Sequence, residues 1–225
     1  ADVALNRTDE VVIAYHTLDP GFDCPSHQLD ITSASAVDSL VSAVDPDAVI
    51  NCAAMTDVDG CETDPERAHA VNATGARNLA RAAERADARL VHTSTDYVFD
   101  GDRSEPYPED AEPNPRQEYG KSKLAGESSV RRTHPDPMIV RLSFVYGRSL
   151  PAGTLSGFPA LVCNQAANEA DIPLFIDQHV SPSYASSAAT TILDLLEHGQ
   201  SGTFNVAGTS CISPHEFGKA ILDES

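Results

Sequence analysis

The feature that most constrains this chain is its alternation of short β-branched runs with segments of helical period. Val11 to Tyr15 reads as a buried strand, and Ser33 to Val44 as a helix with Val37, Leu40, Val41 and Val44 on one face. Ala48 to Ala54 is the next strand. Asp64-Pro65 opens a long helix, with Asp as N-cap and Pro in the first turn, that runs to about Arg85. Leu90 to Ser94 is a strand, Gln117 to about Arg132 a helix, and Met138 to Leu142 another strand. After Gly147 the pattern loosens into a Gly/Pro-rich loop, a helix near 159–170, a short strand at Leu174-Phe175-Ile176, a helix near 185–198 and a strand from Gly202 to Val206. Strands separated by helices argue an α/β fold with a doubly wound parallel sheet.

A sheet of that kind that binds a dinucleotide opens with a strand, a Gly-rich turn and a helix whose N-terminus holds the pyrophosphate. No such turn follows a strand here, and Ala1 to Arg7 reads as the tail of a helix leading into the first strand. The expectation is that this first strand and Gly-rich loop precede Ala1 in the whole protein. Residues 1–147 then form an N-terminally incomplete dinucleotide-binding core. Residues 148–225 form a mixed segment that contributes a small C-terminal substrate-binding lobe and the remaining core elements.

Composition excludes several functions. The formal net charge is −19, from 34 acids against 15 bases, so there is no basic stripe for a nucleic-acid partner. The acids are dispersed among regular apolar periods, which argues a folded chain. Lysine is nearly eliminated, leaving Lys121, Lys123 and Lys219, a composition typical of salt-loving organisms whose salt screens such a surface. No apolar run is long enough to cross a membrane. Cys24, Cys52, Cys61, Cys163 and Cys211 are odd in number and scattered, which reads as reduced thiols in the cytoplasm. The histidines lack metal-ligand spacing, and no metal is expected. Asp57, Asp59 and Glu62 read as a solvated loop.

Two of the three lysines fall in Tyr119-Gly120-Lys121-Ser122-Lys123. Tyr119 and Lys123 are spaced to share a helix face, one turn apart. An ammonium beside a phenol favours the phenolate and is expected to lower the Tyr119 pKa. Such a tyrosine can exchange a proton with a carbonyl or alcohol oxygen. A hydroxyl from Ser94 or Thr95, at a polar strand end upstream, would hold the same oxygen. The set suits reduction of a ketone by a nicotinamide. Alone the Tyr/Lys spacing is common on solvated helix faces; the strand before it gives it weight.

Several longer strings carry a resemblance. They are Asn51 to Asp59, Val71-Asn72-Ala73-Thr74-Gly75, Ser94 to Gly101, Tyr119 to Glu127, Arg141 to Gly147, and Asp177 to Pro182. Together they resemble the extended short-chain dehydrogenases/reductases, with their Rossmann-like fold, and within them the dTDP-4-dehydrorhamnose reductase family. The resemblance covers nearly the whole chain and implies that the family's sequence continues beyond Ser225. It implies that Tyr119 is the general acid toward the C4 oxygen of a nucleotide-linked keto sugar. Lys123 would lower its pKa and hold the nicotinamide ribose, Thr95 would orient the oxygen, and Asp96 would lie against the sugar. Phe144 takes the place of a family tryptophan that packs on the sugar, keeping the ring and losing its N–H. Ala54, Met55 and Thr56 would line the cofactor, with Asp30 and Ile31 beside the adenine. Asn72 and Gly75 would serve helix contacts beneath the cofactor.

The cofactor is expected to be NADP, with NAD as the other choice. His16 ends a strand where NAD-preferring proteins carry an acid for the ribose hydroxyl, and His16-Thr17 could instead face a 2′-phosphate or form a plain surface turn. Dehydratases of the superfamily place an Asp-Glu pair where this chain has Asp96-Tyr97, which argues against elimination. The remaining alternatives are an epimerase with tightly retained NAD, and a non-catalytic regulatory subunit. The resemblance is compatible with a homodimer.

Overall fold

The computed structural model describes residues 1–7, 10–103, 105–149 and 153–224. Part of the expected Gly/Pro loop, residues 150–152, therefore lies outside the described residues. The chain runs α1 (Asp2–Leu5), β1 (Ile13–Tyr15), β2 (Ser26–Gln28), α2 (Ala34–Val44), β3 (Ala48–Asn51), α3 (Val58–Thr63), α4 (Pro65–His69), a π-helical turn (Ala70–Gly75) and α5 (Ala76–Arg85). It continues with β4 (Arg89–Thr95), a 3₁₀ turn (Asp96–Val98), α6 (Glu118–Thr133), β5 (Met138–Leu142), β6 (Val145–Ser149), β7 (Thr154–Ser156) and α7 (Phe158–Ala167). The last elements are β8 (Ser183–Tyr184), α8 (Ala185–Glu197), β9 (Gly202–Val206) and α9 (Pro214–Asp223).

Four strands form the main sheet, all parallel, in the order β3-β4-β5-β9. β4 and β5 are buried along nearly their whole length, as strands covered on both faces must be. Alternation sorts their side chains. Leu90 and Ile139 meet Ala76, Ala80 and Ala83 of α5 and Val130 of α6 on one face. Val91, Met138 and Val140 meet Ile192 of α8 on the other. The run of alanines on α5 lets that helix lie close to its neighbours. β1 and β2 form a separate parallel pair, and β6 lies between antiparallel β7 and parallel β8.

The expected parallel α/β core is present, with several differences of detail. The strand from Ala48 stops at Asn51, because Asn51 Oδ1 accepts from the Ala53 N–H and turns the chain. The long helix after Asp64 is interrupted by the π-helical turn at Ala70–Gly75. Leu174 to Ile176 form no strand; Phe175 and Ile176 are exposed, and the Phe175 carbonyl accepts from the His215 N–H at 3.1 Å without a ladder forming. Asp57 stands at the N-cap position of α3 without a side-chain capping bond, and Asp59 and Glu62 lie on the helix, so the expected acidic loop is a short helix. α9 was not anticipated, although Ser213 and Glu216 form a reciprocal capping box that marks its start. β6 runs across the boundary expected after residue 147.

The C-terminal segment divides its elements. α8 and β9 complete the main sheet, while α7, α9 and β6 meet through aromatic rings. Phe158 and Phe217 stack at 5.4 Å, and Phe144 and Tyr146 meet Phe217 edge-on at 6.2 and 5.1 Å.

Candidate active site

The C-terminal ends of β3 and β4 and the first turns of α6 make the site. Gln117 caps α6 by accepting from the Gly120 N–H at 2.9 Å. Gly120 lies against the Tyr97 carbonyl and Gly126 against the Asn72 carbonyl, and a Cβ at either would collide with that oxygen. These two close approaches press α6 onto the 3₁₀ turn and the π-helical turn. They bring Tyr119 beside Thr95, Asp96 and Tyr97.

The Tyr119 ring packs edge-on against Tyr97 at 5.7 Å. Burial pushes its phenol up to about 12; the Thr95 hydroxyl draws it down, while Asp96, Cys61 and Tyr97 add to the rise. The expectation of a lowered phenol is therefore corrected. Lys123 is buried at the same helix face, but its Nζ donates to the Thr93 carbonyl at 2.7 Å. Burial brings that ammonium down to about 8, against smaller opposing effects of Cys52 and Glu127. The Tyr and Lys share a face as the spacing predicts, with the lysine directed to β4.

Thr95 and Asp96 reach the site together. Thr95 Oγ1 donates to Asp96 Oδ1 at 3.1 Å and accepts from the Tyr97 N–H at 3.2 Å. Burial pushes the Asp96 carboxyl up, and bonds from Ser143 and Thr95 pull it part of the way back. Ser94 does not join them. Its hydroxyl donates to Glu127 Oε1 at 2.6 Å on the opposite face of β4, as the alternation of a strand requires.

Ala54, Met55 and Thr56 follow β3 as an open shelf, with Thr56 exposed. Asn72 fixes the shelf from the π-helical turn. Its Oδ1 accepts from the Met55 N–H at 2.8 Å, and its Nδ2 donates to the Met55 carbonyl at 3.0 Å and to Ser122 Oγ at 2.9 Å. Ser122 Oγ donates on to the Tyr119 carbonyl at 2.8 Å. One buried amide thus joins the shelf to the helix that carries Tyr119. A π-turn of this sort commonly marks such a place.

His16 and Asp30 lie further out. His16 is exposed with Nδ1 3.0 Å from Thr17 Oγ1, and its carbonyl accepts from Gln28 Nε2 at 2.9 Å. Asp30 accepts from the Thr32 N–H and hydroxyl, which hold its carboxyl below the usual range. Ile31 turns its side chain into the core with Leu29, Val37 and Leu79, while Asn78 Nδ2 donates to its carbonyl. Phe144 has φ 42° and meets Phe158 at 5.2 Å, so its ring belongs to the aromatic cluster of the lobe.

Sequence reasoning missed the polar group behind the site. Glu127 accepts from Arg141 through both oxygens at 2.9 Å and from Arg131 at 3.0 Å. Burial pushes the Glu127 carboxyl up, but Arg141 and Ser94 outweigh it and hold it low. Arg141 also lies over the Phe99 ring at 5.0 Å. A Glu one turn after Lys123 on the same helix face was the available signal. His92, beside them on β4, is held down to about 3 by burial and by the charges of Lys123 and Arg131, so it stays neutral.

Cavities of about 590 and 470 Å³ lie away from these residues, one beside Arg89 and His134, the other beside Asp38 and Arg85. Among the described residues, no cluster of His, Cys, Asp or Glu could hold a metal ion, and no helix is long and apolar enough to cross a membrane.

A tyrosine on α6 facing a parallel strand's end, with a buried lysine one turn behind it, is the arrangement that the resemblance to the short-chain dehydrogenases and reductases implies. Sequence comparison narrows this. Residues 6–225 match the RmlD substrate binding domain family, and the chain belongs to it. It is 50% identical over 213 residues to a Haloferax volcanii protein named "Probable low-salt glycan biosynthesis reductase Agl14", covering 95% of this chain and 71% of that protein. It is 40% identical to a dTDP-4-dehydrorhamnose reductase of Mycobacterium tuberculosis, covering 88% of this chain and 65% of that one. The chain thus spans about two-thirds of these relatives. Its fold superposes on a crystal structure of dTDP-4-dehydrorhamnose reductase from Bacillus anthracis in complex with NADP. The TM-score is 0.86 at 35% identity, over 96% of this chain and 81% of that one.

Proposed function

We propose that the protein reduces the 4-keto group of a nucleotide-linked deoxysugar, converting dTDP-4-dehydrorhamnose to dTDP-L-rhamnose, with NADP as its cofactor. The observation that carries this reading is the meeting of Tyr119, Thr95 and Asp96 at the end of β4. Reductases of the same family, one of them solved with NADP, support the substrate class and the cofactor.

The residues present fit a dinucleotide. Met55 is held at both its backbone groups by Asn72, so the strand-end shelf is rigid where a flat ring would lie. Lys123 Nζ has one carbonyl partner for three protons, which leaves donors for ribose hydroxyls. Ala54, Met55, Thr56, Tyr119 and Lys123 would hold the nicotinamide end, with Asp30, Ile31 and His16 toward the adenosine. Bound NADPH supplies the hydride.

The chain's own part is the proton. A phenol held near 12 remains protonated throughout the working range, which is the form a proton donor needs. Tyr119 gives that proton to the C4 oxygen as negative charge develops there, and the Thr95 hydroxyl, turning its one proton from Asp96, donates to the same oxygen. Asp96 receives sugar hydroxyls, and Phe144 closes the lobe side of the sugar through its aromatic cluster. Tyr97 in place of a second carboxylate leaves no acid–base pair for elimination.

The acid-rich, lysine-poor composition and the Haloferax relative agree on a salt-loving source. The five free thiols support a cytoplasmic location. A homodimer is the assembly carried with this reading, and sedimentation at high salt checks it.

The test is oxidation of NADPH by the full-length protein given dTDP-4-dehydrorhamnose, repeated with NADH. Loss of the reduced-nicotinamide absorbance with stoichiometric sugar product is expected. Tightly retained NAD and sugar interconversion without net cofactor consumption would transfer the assignment to an epimerase.

A further inference from the structure

The two oxygens of Asp96 are held from different parts of the chain. Oδ1 accepts from its neighbour Thr95, while Oδ2 accepts from Ser143 Oγ at 2.6 Å. Ser143 is buried just past the end of β5, and its Oγ accepts in turn from the Ser181 N–H at 3.4 Å. The next residue, Phe144, takes a left-handed backbone with φ 42°, a costly conformation for a bulky residue. Its carbonyl accepts from the Ser183 N–H at 3.2 Å. The far side of the same segment is pinned as well. Ser183 Oγ donates to the Ser181 carbonyl at 2.9 Å and accepts from the Gly208 N–H at 3.0 Å. Gly208 lies so close to the Pro182 carbonyl that a Cβ would collide with it.

We propose that Ser143 is a positioning residue that ties the lobe segment Ser181–Ser183 to Asp96, so that the seating of the lobe sets the direction of the carboxylate. This rests on the reductase reading, in which Asp96 faces the sugar. A hydroxyl has one proton to give. Ser143 Oγ gives that proton to Asp96 and accepts from the lobe backbone on a lone pair, and the two bonds polarise each other. A shift of the lobe that breaks the longer bond frees the hydroxyl to turn away. Asp96 is faced also by the phenols of Tyr97 and Tyr119 and by the N–H groups of residues 96 and 97. Ser143 is the strongest of the bonds that pull its carboxyl down against burial.

The experiment compares Ser143→Ala, Ser143→Thr and Asp96→Asn in the full-length protein. A hydrogen bond to a charged group predicts a loss of kcat/KM of roughly ten- to a hundred-fold in Ser143→Ala, expressed mainly in the KM for the keto sugar. The acid limb of its pH profile should move to higher pH, while NADPH affinity stays unchanged. Ser143→Thr should restore both. Adding Ser143→Ala to Asp96→Asn should leave the acid limb unmoved and cost less in KM, since the titrating carboxyl is gone and the amide oxygen that remains accepts only a neutral hydrogen bond. An unmoved acid limb, or an equal loss in the Asp96→Asn background, would overturn the proposal. Titration of the Asp96 carboxyl carbon by ¹³C NMR without substrate separates the two readings. An upward shift in Ser143→Ala with no sugar reduced by the parent would sink the reductase and keep the tie. Reduction without that shift would sink the tie alone.

Discussion

Lys123 and Glu127, one turn apart on α6, are buried to the same depth and built to opposite ends. Lys123 is 2% exposed and Glu127 0%. Glu127 is saturated: Arg141, Arg131 and Ser94 all donate to it, and its carboxyl is held below the usual range. Lys123 donates to the Thr93 carbonyl, and burial pushes it down to about 8. Tyr119, a turn earlier, is likewise pushed away from its ordinary value, up to about 12. A buried charge with full partners fixes a structure, whereas one left short of partners is available to a ligand. The helix therefore carries its scaffold and its proposed chemistry on one face, a turn apart.

The comparison breaks first at Tyr119. Tyr119→Phe keeps the ring against Tyr97 and removes the proton, so turnover should fall by about 10²–10⁴-fold with the melting temperature little changed. A near-normal rate of NADPH oxidation would show that the unsaturated turn is not where the chemistry lies.

Glu127 should show the opposite signature. Glu127→Ala leaves Arg141 buried and unpaired, which typically costs about 3–5 kcal/mol. A large drop in melting temperature is expected, with kcat in the surviving folded fraction changed far less than by Tyr119→Phe. A stable variant with no turnover would reverse the assignment of the two turns.

Lys123 sharpens the contrast through pH. Its amine is held at about 8 in the folded protein and at the ordinary 10.5 in the unfolded chain. Between those values the unfolded chain carries the extra proton, so stability should rise as the pH climbs through that window. Tyr119 acts in the other direction at higher pH, because its phenol keeps a proton up to about 12 that the unfolded chain releases near 10. Chemical denaturation from pH 7 to 10 should show this contribution in the parent and its loss in Lys123→Met, where the raised Cys52 and Cys61 thiols alone would make stability fall. Lys121, an exposed neighbour paired with Glu118 at 2.7 Å, is the smallest effect, and Lys121→Ala should leave the profile unmoved.

The alternation of strands and helices, the cap at Asp64, and the shared face of Tyr119 and Lys123 were legible in the sequence, because each depends on residues a few positions apart. The strings around Asn51, Ser94 and Arg141 pointed to the family for the same local reason. What Lys123 and Ser94 bond to was not legible. Strand alternation sends Ser94 to Glu127, and the depth of α6 against β4 brings Lys123 to a carbonyl. The rise of the Tyr119 phenol, the Asn72 clamp on Met55 and the tie from Ser181 through Ser143 to Asp96 likewise join residues far apart in the chain. Burial and donor direction are properties of the assembled layers, so tertiary structure alone decided which polar groups were saturated and which were left short of partners.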